Sequence, residues 1–298
     1  MSRNEKSEAP VTIRERIQNL DTGLTKAEQR ISRVILSDYP VSAMKTLADL
    51  GKDAATSPAT VLRFVGKLGY SGYPEFQKFL RDEIQGALDT PLSRLRAAAG
   101  ETDGGAPLEK YGRYAMELVQ ETIDMVPPQT IAEVVDILAD IKRPVYLIGG
   151  RYSRGHATIL GYGLSSVRGQ VREVEAEARD MVTTLADIGR RDIVVVFDFR
   201  RYQSNIVHFT EEARAAGARL ILFTDRWQSP CAAHADQVIA LPVASPSLFD
   251  TGLSTLLCVE TIVSQLTDAL GSKSADRVAR IEQLYNKIND LGPSGGGA

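Results

Sequence analysis

TLADLGKDAATSPATVLRFVGKLGY, residues 46–70, decides the reading of the first third of the chain. Leu47 and Leu50 give a first short helix its inner face, and a tight turn near Ala55 and Thr56 separates it from a second. Ser57 at the N-cap and Pro58 at the first helical position open the second helix, because a serine hydroxyl satisfies an orphan amide and proline has none to satisfy. Val61, Phe64, Val65 and Leu68 fall at i, i+3, i+4 and i+7 and form one apolar stripe. Thr60, Arg63 and Lys67 lie on a different face, which stays in water unless something anionic docks there. A helix laid in the major groove of DNA presents its N-terminal residues to base edges, so Ser57, Ala59, Thr60 and Arg63 are candidate base readers. Lys67, farther along, suits phosphate, and Lys45 and Thr46 are placed to anchor the first helix. Tyr70, Ser71 and Tyr73 are neutral donors beside the first amides of the next helix, a further phosphate position. Solvated polar residues on a small helical bundle would give the same pattern, so the flanking sequence has to decide.

Upstream, Thr25 and Glu28 form a capping box that opens a helix through Ile31, Val34 and Ile35, ending before Pro40. Downstream of Pro74, Phe76, Phe79 and Leu80 share an inner face. These helices define an all-helical domain over residues 11–85. The run GETDGGAP (Gly100 to Pro107) is too rich in Gly and acidic residues to pack, so residues 86–107 read as a linker. Beyond it, VYLIG from Val145, VREVE from Val171, DIVVVFDF from Asp192, RLILFTD from Arg219 and DQVIALPV from Asp236 are short apolar runs separated by helical stretches. That alternation predicts βαβ units, hence a flavodoxin-like three-layer α/β/α domain with a five-stranded parallel sheet over residues 108–290. SPSLFDTG (Ser245 to Gly252) opens the last long helix, with Asp250 as a capping residue or a polar group facing a pocket, and GPSGGGA is a terminal tail.

Bulk properties narrow the function. The chain has 298 residues, 43% hydrophobic and 24% charged, and a formal net charge of -3. An acidic chain does not coat nucleic acid indiscriminately, so contact with double-stranded DNA is expected to be local. Residues 11–85 carry roughly 11 basic and 9 acidic side chains. Cys231 and Cys258 stand apart, with no CxxC spacing, so neither a disulfide framework nor a metal site is expected. The N-terminus is polar without an apolar core segment, which fits a cytoplasmic protein.

IGGRYSRGHA (Ile148 to Ala157) follows the first strand as a Gly-rich turn into a helix, where amides and the helix terminus favour an anion. Gly149, Gly150, Arg151 and Ser153 are therefore candidate ligand contacts. FDFRRYQS (Phe197 to Ser204) follows the third strand. Arg200 and Arg201 suit phosphate or carboxylate and Asp198 a hydroxyl or amine, with Gln203 and Ser204 beside them. Equally, Asp198 and Arg200 pair with each other, or the arginines point to solvent. His156, His208 and His234 fall in no catalytic constellation and read as surface or helix histidines, so no catalytic residue is assigned.

From LTKAEQRISRVIL (Leu24) through SPATVLRFVGKLGYSGYPEF (Ser57) the chain resembles the RpiR family of bacterial transcription regulators. The C-terminal half resembles the sugar isomerase (SIS) domain those proteins carry, so the likeness covers nearly the whole chain. It implies a DNA-binding homo-oligomer controlled by a small anionic metabolite, a sugar phosphate or related acid, with Ser153 in the first phosphosugar loop. There are two departures. Ala55 stands where the family usually has Gly, at a cost of about 1 kcal/mol if left-handed. Asp198, Arg200, Arg201 and Gln203 replace the usual Ser, Ser, Gly and Thr of the second loop, so the usual phosphate cup does not carry over. A sugar-phosphate isomerase, and a DNA-binding dimer that responds to no ligand, are the alternative readings.

Overall fold

The computed structural model describes residues 12–20, 23–37, 39–88 and 106–290. They divide into two compact units, one within Met1–Thr90 and one within Pro91–Ala298. Residues 89–105 of the expected linker and the terminal tail lie outside the described residues. The two ends of that linker are helical, since one helix runs to Leu88 and another opens at Pro107.

The first unit holds α1 (Ile13–Asn19), α2 (Lys26–Ser37), a 3-10 turn at Val41–Met44, α3 (Leu47–Asp53), α4 (Pro58–Lys67) and α5 (Tyr73–Leu88). The capping box forms reciprocally: Thr25 N donates to Glu28 Oε2 at 2.7 Å and Glu28 N to Thr25 Oγ1 at 3.3 Å. Ile31, Ile35, Val61, Phe64, Val65, Phe76 and Leu80 are buried together, joined by Ile13 and Ile17 from α1. Glu83 of α5 ties the start of the unit to its end, accepting from Ile13 N at 3.2 Å and from the Tyr39 hydroxyl at 2.5 Å.

In the second unit, α6 (Pro107–Met125) and α7 (Pro128–Ala139) precede an alternating series. It runs β1 (Val145–Gly149), α8 (Arg154–Val167), β2 (Val171–Val174), α9 (Ala178–Asp187), β3 (Ile193–Phe197), α10 (Ser204–Ala215), β4 (Arg219–Asp225) and β5 (Gln237–Leu241). The sheet is parallel throughout, in the order β2-β1-β3-β4-β5, with Gly149 level with Phe197. β3 is buried along its whole length, as a central strand with helices on both faces must be. Its odd-numbered residues join α7, α8 and α11 (Leu253–Leu270) in one core, while Val194 and Val196 join α9 and α10 in the other. Three layers follow from that alternation. By length and composition α11 could cross a membrane, yet Cys258, Ile262 and Leu266 on it belong to the core against the sheet.

α11 is not the last helix. Gly271, at φ 54°, breaks it, and α12 (Ser272–Asp290) follows. Arg168, fully buried after α8, donates to the carbonyls of Leu138, Asp140 and Arg143, satisfying the end of α7 and the turn beyond it.

Candidate functional site

On α4 the two faces separate as the spacing predicts. Ser57 is the N-cap, its Oγ accepting from Thr60 N at 3.2 Å, and Val61, Phe64 and Val65 are fully buried. Outward, Ser57, Ala59 and Arg63 are exposed and Thr60 is half-buried. The Ser57 and Thr60 hydroxyls lie 2.9 Å apart, and Arg63 Nη2 donates to Thr60 Oγ1 at 3.3 Å. This outward row is continuous and hydrogen-bonded, a surface able to present donors and acceptors to base edges.

The turn that sets α4 against α3 is held from behind. Ala55 is left-handed at φ 47°, and Arg30 of α2 donates to the carbonyls of Ala54 at 3.0 Å and Ala55 at 3.2 Å. Gly51 favours the close approach, since a Cβ there would sit a tight 3.1 Å from the Thr56 carbonyl oxygen. Thr46 caps α3 by accepting from Asp49 N at 3.2 Å.

The phosphate contacts need correction. Tyr70 and Tyr73 are core residues, their rings packed on Phe76, and the Tyr73 hydroxyl donates to the Lys45 carbonyl at 2.6 Å. Ser71 gives both its amide and its hydroxyl to Glu75, each at 2.5 Å. Lys67 Nζ donates to Gly23 O at 2.8 Å and pairs with Glu28 at 3.2 Å, and Lys45 pairs with Asp53 at 2.6 Å. The Lys45–Asp53 pair is exposed on both sides, and such pairs contribute at most about 1 kcal/mol, so Lys45 can exchange its partner for phosphate at little cost. Lys67 would also give up its bond to the Gly23 carbonyl.

In the second unit the strand order reverses between β1 and β3, and in such sheets ligands lie at the carboxyl ends of the strands flanking that point. Both predicted loops are there. Gly149 is required, because a Cβ would come within 2.7 Å of the Ser153 backbone. Ser153 is turned inward, its hydroxyl donating to the Phe197 carbonyl at 2.7 Å, so it joins β1's loop to β3 instead of facing a ligand. The Gln203 carboxamide lies against Gly150, 2.6 Å from where a Cβ would stand, and accepts from Arg151 N at 3.3 Å. Arg151, Arg201 and Ser204 remain exposed.

Asp198 does not pair with Arg200. It is buried and accepts from the Ser229 hydroxyl and, at 3.8 Å, from the Cys231 thiol; burial pushes its pKa up to about 6. Arg200 is held on three sides. Its backbone N–H donates to Asp225 at 2.5 Å, its guanidinium lies 4.7 Å from the centre of the Trp227 ring, and its Nε and Nη2 fork onto the two oxygens of Asp250, Nε at 2.7 Å. Asp250 thus pairs with an arginine and is no helix cap; Gly252 occupies the N-cap of α11. Asp225, fully buried, also accepts from the Tyr202 hydroxyl at 2.8 Å and Trp227 N at 3.0 Å, and burial raises its pKa to about 7.

His156 is a helix histidine, half-buried on α8. Its ring is packed near Phe197 and Phe199 and against Gly252, and burial lowers its pKa. His208 and His234 both reach Glu211. Tyr152, Asp225, Trp227 and His156 are thus parts of this crevice that motif reading passed over. The aspartate that ends β4, Asp225, is a visible signal, since strand carboxyl ends face the crevice. Among the described residues no three His, Cys, Asp or Glu side chains come together to hold a metal ion.

Residues 11–87 match the helix-turn-helix domain of the rpiR family, and residues 137–265 match the SIS domain. An uncharacterized HTH-type transcriptional regulator of Clostridium perfringens is 23% identical over 271 residues, covering 88% of this chain and 96% of that one. Among solved structures, the sugar isomerase domain of an RpiR transcription factor from Sphaerobacter thermophilus aligns with a TM-score of 0.55 at 19% identity, over 59% of this chain and 98% of that one. The NanR protein of Vibrio vulnificus, complexed with ManNAc-6P, aligns with a TM-score of 0.53 at 16% identity, over 93% and 99%. With both domains matched in order on the helical and α/β units described above, the chain belongs to the RpiR family of HTH-type transcriptional regulators.

Proposed function

We propose that this regulator reads a specific DNA site through α4 as a homo-oligomer, and that a small anion, a sugar phosphate or related acid, sets its affinity from the crevice between the β1 and β3 loops. The carrying observation is the two-faced α4: the stripe from Val61 to Val65 is consumed by the core, while Ser57, Ala59, Thr60 and Arg63 are left outward. Lys45, Thr46 and Lys67 flank that row as contacts to the DNA backbone. A single short helix spans too few base pairs to compete with the genome's non-specific sites, so two copies are required.

The ligand half of the reading is supported by the switch point and by a structural neighbour that holds a sugar phosphate. An effector alters DNA binding only through different affinity for two arrangements of the protein. Catalysis is not part of the reading, since the His156 ring is packed near Phe197, Phe199 and Gly252 and the Asp250 carboxylate is paired with Arg200. Footprinting the full chain on the DNA flanking its own gene, with and without sugar phosphates and organic acids, tests both halves. Protection that shifts with one of those compounds is expected. No protected site rejects the DNA reading, and a footprint indifferent to every compound rejects the sensor.

A further inference from the structure

We propose that the effector carries a carboxylate on an apolar ring, and that this carboxylate takes Arg200 from Asp250. The inference rests on the crevice being the effector site and narrows the ligand. A guanidinium forks onto a carboxylate through two parallel N–H···O bonds, and Arg200 already does so with Asp250. The two partners are unequal. Arg200's side chain is 4% exposed with Trp227 beside it and its backbone N–H is held by Asp225, whereas Asp250 is 27% exposed and comes from the solvent side. Asp250 belongs to residues 242–252, which run between β5 and α11 without helix or strand. The arginine is thus the receptor and the aspartate its occupant. Because removing acceptors from a buried arginine is costly, a ligand that displaces Asp250 is favoured if it offers the same two acceptors.

The surroundings choose the rest of the ligand. Aromatic residues are only 6% of this chain, yet the single Trp, Trp227, lies beside Arg200, and Phe249 is the residue before Asp250. The Phe249 ring sits 5.8 Å from that of Tyr152 in the first loop, and the two are 49% and 73% exposed. Two large rings held open to water at a crevice mouth suit a flat apolar body. Two of the polar groups suited to a polyhydroxylated body are turned to the protein, the Ser153 hydroxyl to the Phe197 carbonyl and the Gln203 carboxamide oxygen to Arg151 N. Asp250 belongs to the segment whose Gly252, two residues on, caps α11. Ligand exchange therefore reaches a core helix directly.

Trp227, being the only tryptophan, reports on Arg200 without a label. The full chain is titrated with benzoate, acetate, inorganic phosphate and glucose 6-phosphate, following its fluorescence. Benzoate is expected to give a saturable change, and acetate a much weaker one. Asp250→Asn removes the built-in competitor and should tighten benzoate by roughly tenfold, since more of the protein is then competent to bind. Phe249→Ala should bring benzoate toward acetate with an unchanged melting temperature, and Arg200→Ala should abolish the response. A folded Asp250→Asn protein that binds benzoate no more tightly than the wild type overturns the proposal. Saturation by glucose 6-phosphate without benzoate overturns it too but leaves the anion-sensor reading standing; silence toward all four, with an indifferent footprint, removes both.

Discussion

On α4 the residues that build the core and those that face outward are different residues on opposite sides, while at the carboxyl ends of β1 and β3 the side chains that read as ligand contacts are themselves held by other parts of the protein. Val61 and Phe64 are buried and Arg63 between them is exposed, so fold and recognition can be altered separately. Ser153, Gln203 and Arg200 were all candidates for ligand contact, and each is engaged within the protein. The difference follows from periodicity. A helix of 3.6 residues per turn sorts neighbours onto separate faces, whereas loops converging from several strands bring residues fifty positions apart into contact.

The largest expected effect tests that separation on α4. Phe64→Ala should lower the unfolding free energy of the helical unit by about 3–5 kcal/mol, the usual cost of deleting a buried aromatic. Ala59 and Arg63 variants on the outward side should stay within about 0.5 kcal/mol of wild type. Urea unfolding of the three proteins compares them; an Arg63→Ala variant as unstable as Phe64→Ala would show that the faces are not independent.

In the α/β unit, fold and site should instead move together with pH. Asp198 and Asp225 have carboxyl groups raised by burial to about 6 and about 7, above the ordinary value of 3.8 they regain on unfolding. Between the two values the folded chain binds more protons than the unfolded one. Their contribution to stability is therefore fully present below about pH 4 and is lost as pH rises through about 6 to 7. A fall on the order of 2 kcal/mol between about pH 5 and about pH 8 is expected in urea unfolding, reduced in Asp198→Asn. A profile that is flat over this range would mean that donors such as Ser229 and Tyr202 outweigh burial.

Smaller effects on binding sharpen the outward row. Arg63→Ala should weaken a specific site by about 1–3 kcal/mol and relax the sequence preference there. Lys67→Ala should weaken all sequences alike and reduce the salt slope by about one, once its bonds to Gly23 and Glu28 have been exchanged for phosphate. Competition assays across salt concentrations separate the two. A Lys67 variant with an unchanged slope would keep that residue as a strut between α4 and α2.

Local patterns made most of the fold legible. The apolar stripe of α4, the capping box at Thr25 and the five β-branched runs all appear where periodicity and caps place them. A tyrosine near a helix start suggests a hydroxyl donor, but Tyr70 and Tyr73 are core residues. Tyr73, Phe76 and Leu80 stand at i, i+3 and i+7, a core stripe that Tyr73 simply begins. No local pattern reveals that Asp250 meets Arg200 or that Ser153 meets Phe197. Those contacts depend on how the sheet brings distant loops together, and a lone aspartate before a helix looks like a cap whichever partner it has.

Ala55 offers the smallest and most local test. At φ 47° its Cβ crowds the neighbouring carbonyl, and glycine in the same conformation avoids that cost at the price of a more mobile unfolded chain. Ala55→Gly should therefore stabilise the helical unit by no more than about 1 kcal/mol. The carbonyls on either side are gripped by the Arg30 guanidinium, which holds the turn whatever residue stands at 55. If that grip is what lets alanine persist there, the gain from glycine should be larger in an Arg30→Ala background than in the wild type, a coupling readable from a double-mutant cycle. Equal gains in both backgrounds would mean that the turn is set by α3 and α4 alone, through the approach of Gly51 to Thr56, and that Arg30 only covers it.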